Sequence, residues 1–461
     1  MDIKEYKCPN CGGAVQFDSS SQMMKCPYCD TEFEIEALEE YQKELAVPTA
    51  ENYDSWAADY RANEWQEGEL DCLTTGSCPS CGAELMGDEN TAAMVCPSCG
   101  NTQIVMRRLD GILKPDYVIP FKLDKNSAAE ALRNFYNGKR LLPESFKEEN
   151  HINEIQGVYL PFWLYDASAQ AHVCYRATRT RMWSDANYNY TKTDHYSVIR
   201  DGSMAFEKIP VDGSEKMDDA HMDSIEPFNY DEKKEFQTAF LSGYLAEKYD
   251  MDADSCKDRA SRRIKNSLEG ELTRTVTGYT SVRTESSQVN IRSGRVNYAM
   301  FPVWVLNTKH KDTNHQFLMN GQTGLLAGSL PVDTGKAWKY RLRFTGIIGA
   351  VLCSILYLLR YFIPADASDI MYNIHEYHLF IAIGLFVVGF ALGLYCVHTW
   401  IKEMNTARLK TQADTYIVPG SFNLKIKRDR FLYSTITKIR RQTQTTGGGK
   451  YSGGGRMGGR K

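Results

Sequence analysis

Eight cysteines, arranged as two sets of four, are the residues of this chain best suited to chemistry. Each set consists of two C-x-x-C pairs separated by fourteen residues, and the second set begins seventy positions after the first. Four thiolates at this spacing can bind one tetrahedral zinc ion. The sequence therefore predicts two zinc ions, with ligands Cys8, Cys11, Cys26 and Cys29 for one and Cys78, Cys81, Cys96 and Cys99 for the other.

The residues beside each cysteine pair favour tight turns. A proline follows the first cysteine of every pair, a glycine follows the second cysteine in three pairs, and Asp30 takes that place in the fourth. Proline presets φ, whereas glycine and aspartate tolerate a positive φ, so each pair can point both sulfurs at one metal. Since four cysteines leave no ligand position for water, we expect two structural zinc ribbons without a catalytic role.

A disulfide framework is the alternative use of these cysteines. The sequence opens without a signal peptide, and in an intracellular protein this spacing indicates metal binding. The other five cysteines are scattered along the chain. We expect Cys72, Cys174 and Cys256 to be buried or unreactive thiols, and Cys353 and Cys396 to lie in the apolar segments near the end of the chain.

Two apolar segments, residues 344–363 and 379–401, are each about twenty residues long, the length needed to cross a bilayer. A pair of buried core helices is the alternative. Lysines and arginines flank the outer ends of the pair, while the connecting loop carries Asp366, Asp369 and Glu376 and no base. The positive-inside rule then predicts a multi-pass protein of the cell membrane with two spans and both termini in the cytoplasm.

The predicted fold class is multidomain: two small β zinc ribbons, a mixed α/β (α+β) domain and an α-helical transmembrane hairpin. The predicted boundaries are 1–36 for ribbon 1, 37–76 for an acidic helical linker, 77–108 for ribbon 2, 109–340 for the mixed domain, 344–401 for the two spans and 402–461 for a basic, glycine-rich tail.

Hydrophobic periodicity predicts the elements of the mixed domain. We expect strands at residues 117–123 and 157–176, helices at 127–137, 241–249 and 254–273, a hairpin turn at Asp201-Gly202 and another at Asn320-Gly321. A Pro-x-Trp sequence occurs twice inside apolar runs, at Pro161 and Pro302. It indicates either a duplicated half-domain with an aromatic groove between the copies, or two unrelated core strands with similar needs.

The charge of the chain is unevenly distributed. The formal net charge is −4, which gives no overall field for binding polyanions. Residues 1–36 contain seven acids and three bases, whereas residues 420–461 contain eleven bases and one acid. We expect the tail to bind anionic lipids. The alternatives are that it binds RNA or a protein, or that it is a solvated flank without a partner. Its last residues, 447–461, are expected to be disordered.

The sequence contains no G-x-x-x-x-G-K-[ST], G-x-S-x-G or H-E-x-x-H. Its match to G-x-G-x-x-G, at residues 453–458, lies in the glycine-rich end and does not follow a predicted strand. The nine histidines are dispersed. We therefore expect that the protein is not an enzyme.

Several runs of the chain resemble a family of bacterial membrane proteins with TFIIB-type zinc ribbons, also labelled as relatives of the primosomal helicase. The resemblance extends from Cys78 to about the second span and rests on YVIPF at 117–121, GVYLPFWLYD at 157–166, FLSGYLAEKYD at 240–250, FPVW at 301–304 and MNGQTG at 319–324. It implies partners among flotillin-like (SPFH-domain) and phage-shock-type proteins at the inner face of the membrane. The chain departs from the family in its additional N-terminal ribbon, and it lacks the ATPase loop that a helicase requires.

The sequence is consistent with two functions from different classes. One is a membrane-anchored adaptor that recruits cytoplasmic protein partners, in a membrane-stress response as the family resemblance implies. The other is a nucleic-acid-binding ribbon protein tethered to the membrane. Because phosphate binding needs clustered bases and the ribbons are acidic, the charge pattern favours the adaptor.

Overall fold

The computed structural model describes residues 6–45, 65, 73–88, 96–101, 104–107, 113–148, 152–311, 313–362 and 378–441. Most of the predicted linker, the loop between the two apolar segments and the glycine-rich end, 447–461, lie outside these residues. The cysteine Cys72 also lies outside them.

Two sheets, seven α-helices and four short 3₁₀ helices account for the regular structure of the described residues. A three-stranded antiparallel sheet is formed by β1 (Gln16–Asp18), β2 (Met23–Lys25) and β3 (Glu32–Phe33). The helices are α1 (Ile35–Leu45), α2 (Lys125–Tyr136), α3 (Glu144–Glu148), α4 (Asp219–Ser224), α5 (Ala253–Arg274), α6 (Thr334–Phe362) and α7 (His378–Glu403).

The second sheet has twelve strands and contains the central core. Its strands are β4 (Leu73–Ser77), β5 (Glu84–Asp88), β6 (Val105–Arg107), β7 (Tyr117–Val118), β8 (Gln156–Ser184), β9 (Tyr188–Asp212), β10 (Lys234–Glu235), β11 (Leu245–Glu247), β12 (Ser281–His310), β13 (Thr313–Asn320), β14 (Leu326–Gly328) and β15 (Asn423–Arg440). The order is β10-β7-β12-β8-β11-β5-β4-β6. In addition, β9 pairs with β8 and β15 with β9, while β13 pairs with β12 and β14 with β13.

Four strands of this sheet are exceptionally long. β8 has 29 residues, β12 has 30, β9 has 25 and β15 has 18, whereas strands usually have about 3–10. They run antiparallel in the order β12-β8-β9-β15. At a rise of about 3.3 Å per residue, β8 alone can extend roughly 95 Å.

Helix α5 covers one face of these long strands. Its apolar residues recur at four-residue spacing and are buried against the strands; they are Ala260, Ile264, Leu268 and Leu272. The strand face below it carries small side chains such as Ala169 and Ala171, which are also buried. Because these alanines are short, the helix backbone can approach the sheet closely. The helix prediction for residues 254–273 is confirmed.

The two Pro-x-Trp sequences lie on adjacent strands with equivalent surroundings. On one side of β8 the partner strand changes from β11 to β9 at Pro161, and on one side of β12 it changes from β7 to β13 at Pro302. Each proline carbonyl accepts a hydrogen bond from a glycine N–H, at 2.9 Å for Pro161 and 2.8 Å for Pro302. Such a position needs no N–H from the proline.

The two tryptophans repeat the same contact. Trp163 donates to the Met251 carbonyl at 2.9 Å, directly before the N-cap of α5, and Trp304 donates to the Leu123 carbonyl at 3.1 Å, directly before the N-cap of α2. This supports a duplicated strand–helix–strand unit, with β7, α2 and β8 as one copy and β11, α5 and β12 as the other. The tryptophan of each copy donates its hydrogen bond to the residue before the helix N-cap of the other copy. Both indoles are buried, so they lie in the core rather than along a groove.

Two predictions for this domain are wrong. Gly202 makes no turn, because β9 is continuous through it. A Cβ there would lie 2.9 Å from Leu272 Cδ2 and 3.1 Å from the Asn423 carbonyl, so glycine is needed for the close approach of α5 and β15. Residues 241–249 contain the last residue of a 3₁₀ helix, a turn and β11 instead of an α-helix. β11 is buried between β8 and β5, and its apolar run therefore reflects a central strand.

Three further predictions for this domain hold fully or in part. Helix α2 agrees with the prediction for 127–137, and the hairpin at Asn320-Gly321 joins β13 to β14. The predicted strand at 117–123 is reduced to the two residues of β7. The mixed α/β domain predicted from the sequence is therefore present, with a larger sheet than expected.

Helices α6 and α7 pack against each other with apolar outer surfaces. A Cβ at Gly389 would lie 3.3 Å from the Gly349 nitrogen, so glycine permits this close packing. Within the described residues, one segment, Ile383–Glu403, is long and apolar enough to cross a membrane. α6 is helical through the predicted first span but provides no second such segment there. The predicted pair of spans is thus found in part.

The basic region after α7 includes the edge strand β15. Apolar residues and bases alternate along β15 because successive side chains of a strand point to opposite faces of the sheet. β15 pairs with β9 from Asn423 to Arg440. Lys425, Lys427 and Lys438 are exposed there. The bases predicted to form a tail are therefore displayed in part by the central sheet.

Candidate metal centres

The four cysteine pairs fold into four equivalent turns. In each turn, the residue after the second cysteine donates its N–H to the carbonyl of the first, at 2.8 Å for Gly12, Gly82 and Gly100 and at 2.9 Å for Asp30. These four residues have φ between 55° and 78°. The predicted need for glycine or aspartate at this position is confirmed, because the positive φ closes each turn.

The turns bring each set of four sulfurs together. In ribbon 1, Cys8 Sγ lies 3.6 Å from Cys29 Sγ, and Cys11 Sγ lies 3.4 Å from Cys26 Sγ. The corresponding separations in ribbon 2 are 3.6 Å for Cys78 and Cys99 and 3.5 Å for Cys81 and Cys96. All sulfurs of a set lie within 4.8 Å of one another.

These separations fit a tetrahedral metal site. Zinc–sulfur bonds of about 2.3 Å at tetrahedral angles place the sulfurs about 3.8 Å apart. Disulfides would need about 2.05 Å. Each set can therefore hold one metal ion, and its four positions are all provided by cysteine.

Burial makes the thiolate form of some of these cysteines dependent on a cation. It raises the pKa of Cys8 to about 12 and that of Cys81 to about 11. Although burial also opposes ionisation of Cys29, the hydroxyl and N–H of Thr31 outweigh it and lower the pKa of Cys29 to about 6. A divalent cation among the four sulfurs favours the thiolate form at every position, so metal binding releases protons.

Ribbon 1 is attached to the face of the long strands opposite α5. Phe33 packs edge-on against Tyr433 of β15 at 5.3 Å. Arg176 of β8 donates to the Pro9 carbonyl at 2.7 Å and to the Tyr41 hydroxyl, and it pairs with Glu285 at 2.7 Å. These contacts fix the ribbon and α1 to β8, β12 and β15.

Ribbon 2 is part of the large sheet. β5 pairs with β11, with Met86 opposite Ala246 and Leu85 opposite Glu247. The second turn of this ribbon is held by Asn307 and Gln316, whose side-chain amides donate to the Pro97 carbonyl.

The cysteines outside the two sets have different environments. Cys174 and Cys256 are buried, as predicted, and Cys353 and Cys396 lie on α6 and α7. Sequence reasoning missed one arrangement: Cys174 meets His172 and Glu44 in a third group of potential metal ligands. The spacing of His172 and Cys174, two apart on a strand, places both on one face, but Glu44 is distant in sequence.

The fold and the two clusters define a protein with two four-cysteine ribbons, a long antiparallel sheet and an apolar helix pair. The chain is similar to "Uncharacterized protein YdjG" of Bacillus subtilis (strain 168), with 35% identity over 355 residues, which are 77% of this chain and 96% of that protein. The chain therefore belongs to the same family as that protein. No family model matches the chain. No solved structure matches it either.

Proposed function

We propose that the protein is a membrane-anchored zinc-ribbon adaptor, which recruits cytoplasmic protein partners to the inner face of the membrane. Each ribbon holds one structural Zn²⁺. The role is non-enzymatic, because cysteine fills every ligand position of both sites and no coordination site is left for a substrate.

The metal assignment can be tested on each ribbon separately. The paired replacements Cys11→Ser with Cys26→Ser, and Cys81→Ser with Cys96→Ser, should each remove one zinc ion per chain, measured by elemental analysis. Unchanged zinc content in either variant would contradict the assignment for that ribbon.

The exposed face of ribbon 1 is the observation that carries the adaptor proposal. Phe17 is 53% exposed and Tyr28 is 76% exposed. Four acids on the same small unit are also exposed: Asp30, Glu32, Glu34 and Glu36. Exposed aromatic side chains on an acidic unit suit contacts between proteins, whereas the acids repel phosphate.

Anchoring is assigned to α6 and α7, which we propose cross the membrane as two spans with both termini in the cytoplasm. Their outer residues are exposed and apolar, including Ile347, Val351, Ile355, Phe386 and Val387. At the other end, Val397 of α7 and Ala337 of α6 lie in one buried cluster with Phe317 of β13. Trp400 joins α7 to Tyr340 and Phe344 of α6, at 5.4 Å. The helices are therefore fixed to the sheet at the end flanked by bases.

Labelling with a membrane-impermeant thiol reagent tests this topology. A cysteine introduced at Asp369 should react from outside intact cells, and one introduced at Ser421 should react only after lysis. The variants should be made in a chain whose Cys353 and Cys396 are replaced by serine. Reaction at Ser421 in intact cells would contradict the orientation.

Recruitment is tested by removing ribbon 1 alone, as residues 1–45, because ribbon 2 belongs to the large sheet. The family resemblance points to flotillin-like or phage-shock-type partners. We expect the truncated protein, and full-length Phe17→Ser with Tyr28→Ser, to remain in the membrane but no longer to co-purify with such a partner. The matched control is Lys43→Ser, an exposed change on α1 away from the aromatic pair. Equal recovery with all variants would refute this surface.

Membrane-tethered nucleic-acid binding is the second candidate, and the exposed bases of β15 favour it. We propose instead that these bases contact anionic lipid head groups. Full-length protein in neutral nanodiscs provides one test for both ideas. Submicromolar binding of DNA or RNA at about 0.15 M salt, lost in Lys425→Gln with Lys427→Gln, would favour the nucleic-acid function. Salt-sensitive binding of anionic vesicles alone would favour the lipid contact.

A further inference from the structure

Helix α1 crosses the long strands at a point where three potential metal ligands converge. Glu44 lies near the end of α1, and His172 and Cys174 lie two residues apart on β8. Their ligand atoms, a carboxylate oxygen, an imidazole nitrogen and a sulfur, all lie within 4.8 Å of one another. The group is formed only where ribbon 1 contacts the sheet.

The separations fit a tetrahedral site with mixed ligands. His172 Nε2 lies 3.1 Å from Glu44 Oε2 and 3.7 Å from Cys174 Sγ. Around a zinc ion, a nitrogen and an oxygen ligand lie about 3.4 Å apart, and a nitrogen and a sulfur ligand about 3.6 Å apart. A small cation can therefore reach all three atoms with little rearrangement.

A second carboxylate lies beside the other ring nitrogen of His172. Asp201 lies opposite His172 in the β8–β9 register, and Asp201 Oδ2 is 3.6 Å from His172 Nδ1. Metal-bound histidines typically direct their other ring nitrogen toward such a carboxylate, which fixes the tautomer and leaves Nε2 free to bind metal. In this arrangement Nε2 faces Glu44 and Cys174.

An ordinary ion pair explains only part of this geometry. A protonated His172 between Glu44 and Asp201 accounts for the two carboxylates. It does not account for Cys174, which is 3% exposed and faces the same ring nitrogen as Glu44. Because Nε2 carries at most one proton, it can donate fully to only one of these neighbours. A cation among the three atoms satisfies all of them.

We propose that Glu44, His172 and Cys174 form a third metal site, which binds a divalent cation of the zinc type and clamps α1 to β8. The mixture of imidazole, thiolate and carboxylate favours Zn²⁺ over Mg²⁺ and Ca²⁺, which prefer oxygen ligands. Three protein ligands leave a fourth position for water. With one thiolate instead of four, this site should lose its metal before the ribbons do.

Metal stoichiometry tests the site in the full-length protein in detergent. After loading with Zn²⁺ and gel filtration, the wild-type protein should contain three ions, and His172→Gln with Cys174→Ser should contain two. Cys256→Ser is the matched control, since Cys256 is another buried thiol but belongs to α5, and it should retain three ions. Two ions in the wild-type protein, or three in the double variant, would overturn the proposal.

A milder variant separates metal binding from folding. Glu44→Gln keeps the size of the side chain at the edge of the contact, and Glu44 is 21% exposed. We expect it to weaken binding of Zn²⁺ at the third site by at least tenfold, measured by competition with a chromogenic chelator, while the two ribbon ions remain.

The rate of amide hydrogen exchange in α1 tests whether the metal fixes this helix to β8. Adding Zn²⁺ to wild-type protein that holds only the two ribbon ions should slow exchange in α1 by about tenfold, which corresponds to about 1.4 kcal/mol. In Glu44→Gln the same addition should have little effect. Zinc-independent exchange in wild-type α1 would show that no metal clamps the helix.

Discussion

The two ribbons share one arrangement of cysteines, but they are attached to the protein in different ways. Ribbon 1 has its own three-stranded sheet, and its core is completed by Leu432 and Tyr433 of β15. Among the described residues of ribbon 2, the buried cluster around the paired cysteines consists of Cys78, Ala83 and Cys96. Strands β4, β5 and β6 are strands of the large sheet.

This difference separates two uses of the same metal site. Ribbon 1 is a small folded unit resting on the sheet through side chains, and it can present a free face to other molecules. Ribbon 2 extends the central sheet, and Met86 contributes to the main core. We therefore expect metal loss to have local effects in ribbon 1 and global effects in ribbon 2.

The largest effect is expected from loss of a ligand in ribbon 2. Because metal binding supplies folding energy in so small a unit, Cys78→Ser should lower the free energy of unfolding of the main domain by at least about 3 kcal/mol. That corresponds to a fall in Tm of roughly 6–12 °C. Tryptophan fluorescence follows this transition, since Trp163 and Trp304 lie in the main domain.

The matched variant is Cys8→Ser in ribbon 1. It should remove one zinc ion but change the main transition by less than about 1 kcal/mol, because ribbon 1 is not part of the large sheet. If both variants lowered the main transition equally, the distinction between the ribbons would fail.

The junction between ribbon 2 and the sheet should depend on pH. Burial raises the pKa of Glu247, opposite Leu85, from 4.5 to about 7. Between about pH 4.5 and 7, Glu247 is ionised in the unfolded chain but still protonated in the folded protein, so the free energy of unfolding falls as pH rises. Above pH 7 the folded protein carries the full cost of the buried carboxylate, up to about 3 kcal/mol. Glu247→Gln should remove this dependence while keeping the contact with Ser214.

Urea unfolding at pH 5, 6, 7 and 8 measures this effect as the difference between variant and wild-type protein. The difference should shift in favour of Glu247→Gln as pH rises. Glu84→Gln is the control, because Glu84 is at the same junction but is 53% exposed beside Lys248. A difference for Glu247→Gln that stayed constant with pH would rule out this explanation.

Attachment of ribbon 1 should depend on Arg176. Arg176→Met removes the contacts with Pro9, Tyr41 and Glu285, and we expect a loss of about 1–2 kcal/mol, since these groups are only partly buried. Amide exchange in α1 should become roughly tenfold faster, with exchange in β5 unchanged. Lys43→Met is the control, and faster exchange in β5 with Arg176→Met would contradict a local attachment.

The smallest effect on stability is expected at the free face of ribbon 1. Tyr28→Ala should change the free energy of unfolding by less than about 0.5 kcal/mol, because the side chain is exposed. Phe33→Ala, on the attached face, should cost about 3 kcal/mol within ribbon 1. Zinc retention after mild heating compares the two variants, and a large loss with Tyr28→Ala would mean that this side chain has a structural role.

Local sequence was sufficient to predict the two four-cysteine clusters, because short-range spacing determines their geometry. Two residues between cysteines, with proline and glycine or Asp30 beside them, specify each turn whatever surrounds it. The stripe of α5 was predictable for the same reason, since its four-residue period lies within one helix.

The errors arose where residue preference depends on distant neighbours. Gly202 resembles a turn residue, but its role is to admit Leu272 and β15, which are far away in sequence. The run at residues 241–249 suits either a buried helix or a buried strand, and only its position between β8 and β5 selects the strand.

The sequence by itself determined two four-cysteine clusters with the geometry of a metal site, a mixed α/β domain and an apolar segment long enough to cross a membrane, Ile383–Glu403. Tertiary structure alone decided that ribbon 2 belongs to the large sheet, that ribbon 1 rests on it, and that Glu44 meets His172 and Cys174. Local spacing specifies turns and periodic faces, whereas strand pairing and contacts across the chain depend on the packing of the whole core.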